Sequence, residues 1–333
     1  MANNINAAFK EFLKDKVNLD SSLSSKAIKS KDWLLDQLQS LSSNNIDFPP
    51  ILSSIHLHYG SFARKTKTRP LSDIDLIIGI AGIGSSFNLY SSTHATITAN
   101  PIIPSLVKLC DPYTSNLNSI KVINCFVKYL PQIYQYRNAS IKRNQEAAVL
   151  DLSSYEWKFD IVPAFITEAD SNGKTFYLIP DGNGKWKKTD PRIDRDRLSQ
   201  INQANSGNVL DVIRIIKFWN KRRNVTTISS YLLENIILNY YENSTSCSVY
   251  VDIEVINILS YLAGSIYNPV YDPKGIQGDL NNLTWDQKNR ISKIATQHVT
   301  AANKAREYES ANNHHMSTLY WYDVFGDDFP RWG

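Results

Sequence analysis

The pattern of apolar and polar positions changes in character near residue 192. Before it, helical spacing over residues 5–41 predicts one or two helices, which precede short β-branched and aromatic runs that predict strands. After it, apolar residues recur at helical spacing, as in residues 209–221, 230–241, 251–266 and 285–310. The chain is therefore predicted to be α+β, with strands and flanking helices in residues 1–192 and a helical lobe in residues 193–333.

The first part contains several segments whose type the pattern predicts. Strands are predicted around Gly60 and Asp75, and at residues 122–129, 146–152, 158–165 and 175–179. Residues 83–101 are rich in Ser, Thr and Gly and are predicted to form a long loop, while residues 101–117 are predicted to hold a helix.

Two carboxylates are separated by one residue in the segment Asp73-Ile74-Asp75. The apolar run that follows predicts a strand, in which side chains two residues apart share a face. Two neighbouring carboxylates repel each other unless a positive charge lies between them. Hard divalent cations prefer carboxylate oxygens and are often bound together with substrate phosphates. We therefore predict that this segment holds Mg²⁺ and a nucleoside triphosphate.

A phosphate-binding element is predicted just before these aspartates. Gly60-Ser61 follows a short alternating strand, and a glycine there lets the backbone approach a ligand closely while the serine adds a hydroxyl donor. The chain contains no GxxxxGK[ST] motif, so this is not a P-loop. The loop that follows carries Arg64, Lys65, Lys67 and Arg69, which as a group suggest phosphate binding, although each one alone reads as a solvated surface residue.

Asp160 is the candidate third carboxylate. It lies in the run Lys158 to Phe165, flanked by apolar residues, where an unpaired carboxylate is costly. An adjacent strand would bring it beside Asp73 and Asp75. The alternative is an acid that caps a turn near Pro163.

Composition limits the class of protein. The 333 residues are 42% hydrophobic and 20% charged, as in folded soluble proteins, and the net charge of +4 is too small to argue for a tight duplex-binding protein. The three cysteines form no CxxC pair, so neither a disulfide framework nor a zinc site is predicted. The N-terminus lacks the apolar core of a signal peptide, and no apolar run is long enough to span a membrane. A cytoplasmic protein is expected.

The order Gly-Ser, then two aspartates in an apolar strand, then a distant third aspartate resembles the signature of the polymerase-β-like nucleotidyltransferases. The resemblance implies a mixed-sheet catalytic core, a C-terminal helical lobe and an active site in the cleft between them. It implies that Asp73, Asp75 and Asp160 are catalytic metal ligands for Mg²⁺, with Mn²⁺ as an alternative. It also implies that Gly60, Ser61 and Arg64 bind substrate.

Two helical segments narrow the resemblance to the bacterial cGAS/DncV-like nucleotidyltransferases, which are related to oligoadenylate synthases. The run from Arg214 to Asn220 resembles the helix that carries their triphosphate-binding lysine, here Lys217. The run from Ser230 to Glu234 resembles the helix start whose serine, here Ser230, faces the triphosphate. The plain alternative for Lys217 is a solvated lysine on an amphipathic helix. Further blocks at residues 177–191 and 321–330 occur in the family's order.

The resemblance implies a synthase that joins ATP or GTP into a cyclic oligonucleotide second messenger in bacterial antiphage (CBASS) signalling. A cyclic dinucleotide such as a cyclic GMP-AMP is the expected product, and a separate effector protein would respond to it. A regulator that resembles ubiquitin-transfer enzymes would act at Gly333. Activation by duplex DNA is not implied. The alternatives are a linear nucleotide polymerase or another transferase of the superfamily, and a catalytically inactive scaffold that binds nucleotide or RNA.

Overall fold

The structure, a computed structural model, describes residues 4–222, 225–243 and 246–332. The chain forms two compact units. The sheet unit comprises Ser21–Arg64 and Pro70–Asp194, and the helical unit comprises Met1–Asp20, Lys65–Arg69 and Arg195–Gly333.

The regular elements follow one another along the chain with few long connections. The α-helices are α1 (Ile5–Phe12), α2 (Ser21–Asn44), α3 (Gly60–Ala63), α4 (Pro104–Val107), α5 (Ser119–Tyr129), α6 (Pro191–Ala204), α7 (Val209–Asn220), α8 (Ser230–Glu242), α9 (Val251–Ser265), α10 (Trp285–Ser310) and α11 (His314–Phe325). The strands are β1 (Leu57–Tyr59), β2 (Asp73–Gly79), β3 (Ser86–Ser91), β4 (His94–Thr98), β5 (Ser140–Asn144), β6 (Ala147–Asp151), β7 (Lys158–Ile166), β8 (Tyr177–Pro180) and β9 (Trp186–Thr189).

A mixed sheet forms the sheet unit. Its order is β1-β2-β7-β8-β9-β4-β3, and β6 also pairs with β7 and carries β5 on its other edge. Strands β2 and β7 are parallel, and the other pairs are antiparallel. Strand β7 pairs with β2 over residues 158–164, with β6 over residues 158–161 and with β8 only at Phe165 and Ile166, so the sheet branches at β7.

Helix α5 occupies residues for which the sequence predicted a strand, so that prediction is wrong. The Asn118 side chain accepts a hydrogen bond from the Lys121 N–H at 3.1 Å and caps the helix start. Val122 and Phe126, four residues apart, are buried on one helix face. The β-branched residues of this segment favour a strand only weakly, and burial of a helical face against the sheet overrides that preference.

Residues 83–101 were predicted to form a loop, and this prediction is also wrong because they contain the β3–β4 hairpin. Ala95 and Ile97 are buried while the residues between and after them are partly exposed, which is the period of two expected of a strand. The hydroxyl-bearing residues suggested a loop, yet threonine also suits strands. Of the helix predicted in residues 101–117, only the four residues of α4 are helical.

The helical unit is built around a cluster of aromatic side chains. The Asn4 side chain accepts a hydrogen bond from the Ala7 N–H at 2.8 Å, which begins α1. Phe9 packs edge-to-face against Trp321, with ring centroids 4.8 Å apart, and both are almost fully buried. This packing holds the start of the chain in the helical unit.

The division into units therefore differs from the predicted boundary at residues 192 and 193. The later boundary falls between Asp194 and Arg195, close to the predicted position. The first twenty residues, however, group with the helical unit and not with the sheet, as do Lys65–Arg69. A single boundary in the sequence cannot divide the chain into these two units, because the helical unit consists of three separate segments.

In the part of the chain that the structure describes, no helix is long and apolar enough to cross a membrane. Cys110, Cys125 and Cys247 are free thiols and buried. Gly333, the residue predicted to receive a regulator, lies outside the described residues.

Candidate active site

Asp75 and Asp160 lie side by side on the parallel strands β2 and β7, where they are in register. Asp73 precedes Asp75 by two residues on the same strand. Because side chains alternate along a strand and partners in register share a face, all three aspartates lie on one face of the sheet. Each is partly exposed, whereas Ile74 and Phe159, which directly precede Asp75 and Asp160, are buried on the other face. The structure thus brings the third predicted carboxylate next to the predicted pair.

The same face becomes apolar immediately beyond the aspartates. Ile77, Val149 and Val162 belong to one buried cluster there. Val149 is the partner of Asp160 on β6, so apolar side chains also flank the carboxylates sideways. The partly exposed carboxylates therefore lie at the edge of a buried apolar cluster.

Gly60 packs directly against the Asp75 carboxylate. A Cβ atom added at Gly60 would lie 1.8 Å from Asp75 Oδ2. The backbone of Gly60 also has a φ of +74°, which side chains rarely adopt. Two independent constraints therefore require glycine here, and one of them is the space taken by a predicted metal ligand.

Tyr59 is a neighbour of the carboxylates that the sequence pattern did not single out. It pairs with Asp75 across the antiparallel strands β1 and β2. Burial raises the pKa of its phenol, and the nearby charges of Asp75, Asp160 and Glu146 raise it further. The phenol is therefore neutral at physiological pH. The signal that could have revealed it is its position at the end of the short strand directly before Gly60.

The donor set suits a hard divalent cation. The Ser72 hydroxyl donates a hydrogen bond to Asp73 Oδ2 at 2.7 Å. Within residues 4–222, 225–243 and 246–332, no group of three or more His, Cys, Asp or Glu side chains is gathered to hold a metal ion. Mg²⁺ is usually held by one or two carboxylates while phosphates and water complete its coordination. The adjacent Asp75 and Asp160, with Asp73 on the same face, therefore fit an ion that binds together with a nucleotide.

Ser61 and Arg64 lie close to the carboxylates in the sequence and stay in the sheet unit. Ser61 is the second residue of the four-residue helix α3, and the Arg64 N–H donates to the Gly60 carbonyl at 3.2 Å to close it. Both side chains are partly exposed. Their predicted contacts with phosphate stay predictions.

The remaining residues of the basic loop, Lys65–Arg69, belong to the helical unit and make hydrogen bonds there. Thr66 and Thr68 are almost fully buried. Lys221 Nζ donates to the Thr68 hydroxyl at 2.7 Å. The Arg69 guanidinium donates to the carbonyls of Asn18 and Lys14. Arg69 therefore has a structural role, and the sequence could not distinguish it from the other cations of the loop.

Lys217 is buried in an ion pair with Glu234 on the next helix. Its Nζ lies 2.6 Å from Glu234 Oε1, and the two side chains are 5% and 4% exposed. The Thr66 hydroxyl donates to the same oxygen at 3.0 Å. Lys217 is thus not a solvated lysine on an amphipathic helix, which was the alternative interpretation of the sequence. An ammonium group has three donors, and its predicted contact with a triphosphate stays a prediction.

Ser230 is the first residue of α8 and is exposed. The cap of this helix is Ser229, whose hydroxyl accepts a hydrogen bond from the Leu232 N–H at 3.3 Å. The Ser230 hydroxyl is therefore not the one that caps the helix. Ser230 and Lys217 both belong to the helical unit, whereas the strands that carry the aspartates belong to the sheet unit.

Comparison with known proteins identifies the family. No family model matches the sequence. A probable cyclic nucleotide synthase of Bacillus cereus (strain VD146) is 43% identical over 331 residues, which cover 99% of this chain and 99% of that protein. The chain belongs to the bacterial cGAS/DncV-like nucleotidyltransferases, a family of cyclic oligonucleotide synthases, and it is a nucleotidyltransferase. The family predicted from the sequence is thereby confirmed.

Solved structures show the same fold. The CdnC of Escherichia coli MS115-1, solved with ATP, superposes with a TM-score of 0.69 at 17% identity and covers 98% of both chains. The same CdnC in complex with HORMA-deltaN gives a TM-score of 0.68 at 18% identity over 98% of both chains. The Vibrio cholerae DncV cyclic AMP-GMP synthase, a prokaryotic cGAS homologue, gives 0.69 at 14% identity over 98% of this chain and 97% of that one. The predicted fold class, a polymerase-β-like core with a helical region, is confirmed.

Proposed function

We propose that this enzyme joins nucleoside triphosphates into a cyclic oligonucleotide in a reaction that depends on Mg²⁺. The observation that supports this most strongly is the register of β2 and β7, which sets Asp160 beside Asp75 with Asp73 on the same face. The proposed product is a cyclic dinucleotide that contains a purine, such as a cyclic GMP-AMP. The proposed site of action is the cytoplasm.

The carboxylates of Asp73, Asp75 and Asp160 would hold Mg²⁺, or Mn²⁺ in its place. When bound, such ions neutralise phosphate charge and lower the pKa of an attacking hydroxyl. The Gly60 backbone and the Ser61 hydroxyl would position the phosphates, and Arg64 would add positive charge. Lys217 would contribute through the positive charge of its ammonium group, and Ser230 through its exposed hydroxyl.

The reaction needs no nucleophilic side chain. A ribose hydroxyl of one nucleotide attacks the α-phosphorus of another, a phosphodiester bond forms, and the bond to pyrophosphate breaks. A second attack within the linear intermediate closes the ring and releases a second pyrophosphate. The residues of the site therefore act by holding reactants in line and by balancing charge.

The proposed substrates are ATP and GTP. In support, related folds have been solved with ATP in CdnC and with 3′-deoxy GTP in Escherichia coli DncV. The product would act as a second messenger in antiphage (CBASS) signalling by binding a separate effector protein. A regulator would act at Gly333, and the CdnC complex with HORMA-deltaN gives a precedent for regulatory partners in this fold.

The product of the purified enzyme tests this function. The protein is incubated with Mg²⁺ and labelled ATP and GTP, treated with phosphatase, and its products are identified by mass spectrometry. We expect a cyclic species that resists phosphatase, and none from the Asp73→Asn/Asp75→Asn variant. A ladder that phosphatase degrades would establish the linear polymerase instead. Nucleotide binding without pyrophosphate release would favour the inactive scaffold.

A further inference from the structure

The sheet unit contains a cavity of about 960 Å³ that none of the predicted site residues lines. It lies between α2 and two connections, one around Tyr136 and the other at residues 152–157. Sites for small molecules typically measure roughly 300–1,000 Å³. The cavity is therefore large enough for a ligand of nucleotide size.

Aromatic side chains form much of the cavity wall. Tyr155 stacks on Trp157 with ring centroids 4.5 Å apart and planes 13° from parallel. Trp157 is buried, whereas Tyr155 is 39% exposed. Trp33 packs edge-to-face on the buried Tyr136 at 5.3 Å. One face of the Tyr155 ring thus packs on the buried Trp157 while the side chain stays partly exposed, as in an aromatic platform on which a base stacks.

Two lysines of α2 also line this cavity. Lys26 and Lys29 are three residues apart and therefore lie on one face of the helix. Both are exposed, and within the described part of the chain neither takes part in an ion pair. Glu156 also lines the cavity, and a carboxylate accepts hydrogen bonds from the amino groups of a base. The wall thus offers a stacking surface, an acceptor and two cations.

We propose that this cavity is a second ligand site for a nucleotide, whose base stacks on Tyr155 and whose phosphate is held by Lys26 and Lys29. The chemistry it selects is a flat heteroaromatic ring joined to an anionic group. A free mononucleotide and the enzyme's own nucleotide product both have this chemistry. Binding in this cavity requires none of Asp73, Asp75 and Asp160. The proposed second site can therefore be tested separately from the proposed catalytic function.

Isothermal titration calorimetry of the full-length protein with AMP in EDTA tests the proposal. We expect one bound AMP per chain and at least tenfold weaker binding of adenosine, which lacks the anion. Lys26→Glu/Lys29→Glu and Tyr155→Ala should each weaken AMP binding at least tenfold. Tyr155→Phe keeps the ring and Lys142→Glu changes an exposed lysine outside the cavity, so both should bind like the wild type. A parallel titration with cyclic GMP-AMP shows which source of the chemistry binds more tightly.

Circular dichroism and thermal melting verify that each variant is folded. Asp73→Asn/Asp75→Asn should retain AMP binding, because these aspartates are not part of the cavity. The proposal is overturned if AMP does not bind, if adenosine binds equally well, or if the double lysine variant binds normally. Loss of binding in Asp73→Asn/Asp75→Asn would also overturn it, since the titration would then report the candidate active site.

Discussion

Replacing Gly60 by alanine should slow catalysis strongly, because the new side chain displaces the Asp75 carboxylate. The new Cβ would lie 1.8 Å from Asp75 Oδ2 and 2.7 Å from Asp75 Cγ, so the carboxylate must move by about 1 Å or more. Misplacing a catalytic group by about 1 Å costs on the order of 10²-fold in rate. That loss corresponds to about 2.7 kcal/mol of transition-state stabilisation.

The backbone strain of this substitution can be separated from its effect on Asp75. An alanine at φ +74° costs about 1–2 kcal/mol of backbone strain, whether or not its Cβ displaces the Asp75 carboxylate. Gly173 has a φ of +73° in the same unit, and its added Cβ would meet no atom within 4 Å. Gly173→Ala is therefore a control with matched strain and no steric contact.

Both variants are compared by thermal melting and by the steady-state rate of pyrophosphate release. We expect similar, small decreases in Tm. The kcat of Gly60→Ala should fall on the order of 100-fold below that of Gly173→Ala, in line with the displacement of Asp75. If the two variants release pyrophosphate at the same rate, the contact between Gly60 and Asp75 does not matter for catalysis.

Two further predictions concern buried side chains of the helical unit. Lys217→Ala leaves the Glu234 carboxylate buried without its cation, which costs about 3–5 kcal/mol, so Tm should fall and the KM for nucleoside triphosphate should rise. In the double variant Lys217→Met/Glu234→Leu, Tm should return toward the wild-type value while KM stays raised. If KM is unchanged in both the single and the double variant, Lys217 does not bind the triphosphate. Trp219 Nε1 donates to His298 Nδ1 at 2.7 Å, and burial lowers the pKa of His298 from 6.5 to about 4. His298 thus contributes stability above pH 6.5 that is lost as pH falls toward 4. The wild-type Tm should therefore fall more steeply between pH 6.5 and pH 4 than the Tm of His298→Gln. Parallel plots of Tm against pH for the two proteins would contradict this.

The sequence predicted the parts of the fold that depend on local chemistry. Helix α10 has the predicted bounds because Thr284 and Gln287 form a reciprocal capping box at its start. Strands β2 and β7 were predicted from their apolar, β-branched runs, which are buried on both faces of the sheet beyond the aspartates. Helix α5 was missed because burial of one helix face overrides a weak strand preference. The β3–β4 hairpin was missed because its hydroxyl-bearing residues suggested a loop.

Contacts between distant residues were beyond a single sequence. Lys217 and Glu234 are 17 residues apart on different helices, so their ion pair could not be read from spacing. The predicted reason for Gly60 was approach to a phosphate, whereas the structure adds the space taken by Asp75. The grouping of Thr66 with the helical unit likewise depends on long-range hydrogen bonds, such as the one to Glu234.

Pyrophosphate release from ATP and GTP with Mg²⁺ tests most directly whether Asp75 and Asp160 form the catalytic centre. The rates of Asp75→Asn and Asp160→Asn are compared with that of Asp36→Asn, which changes an exposed aspartate on α2. We predict that the first two variants release none above background while melting like the wild type, and that Asp36→Asn is fully active. A folded Asp160→Asn variant with the wild-type rate would contradict the claim that the paired carboxylates of β2 and β7 form the catalytic centre.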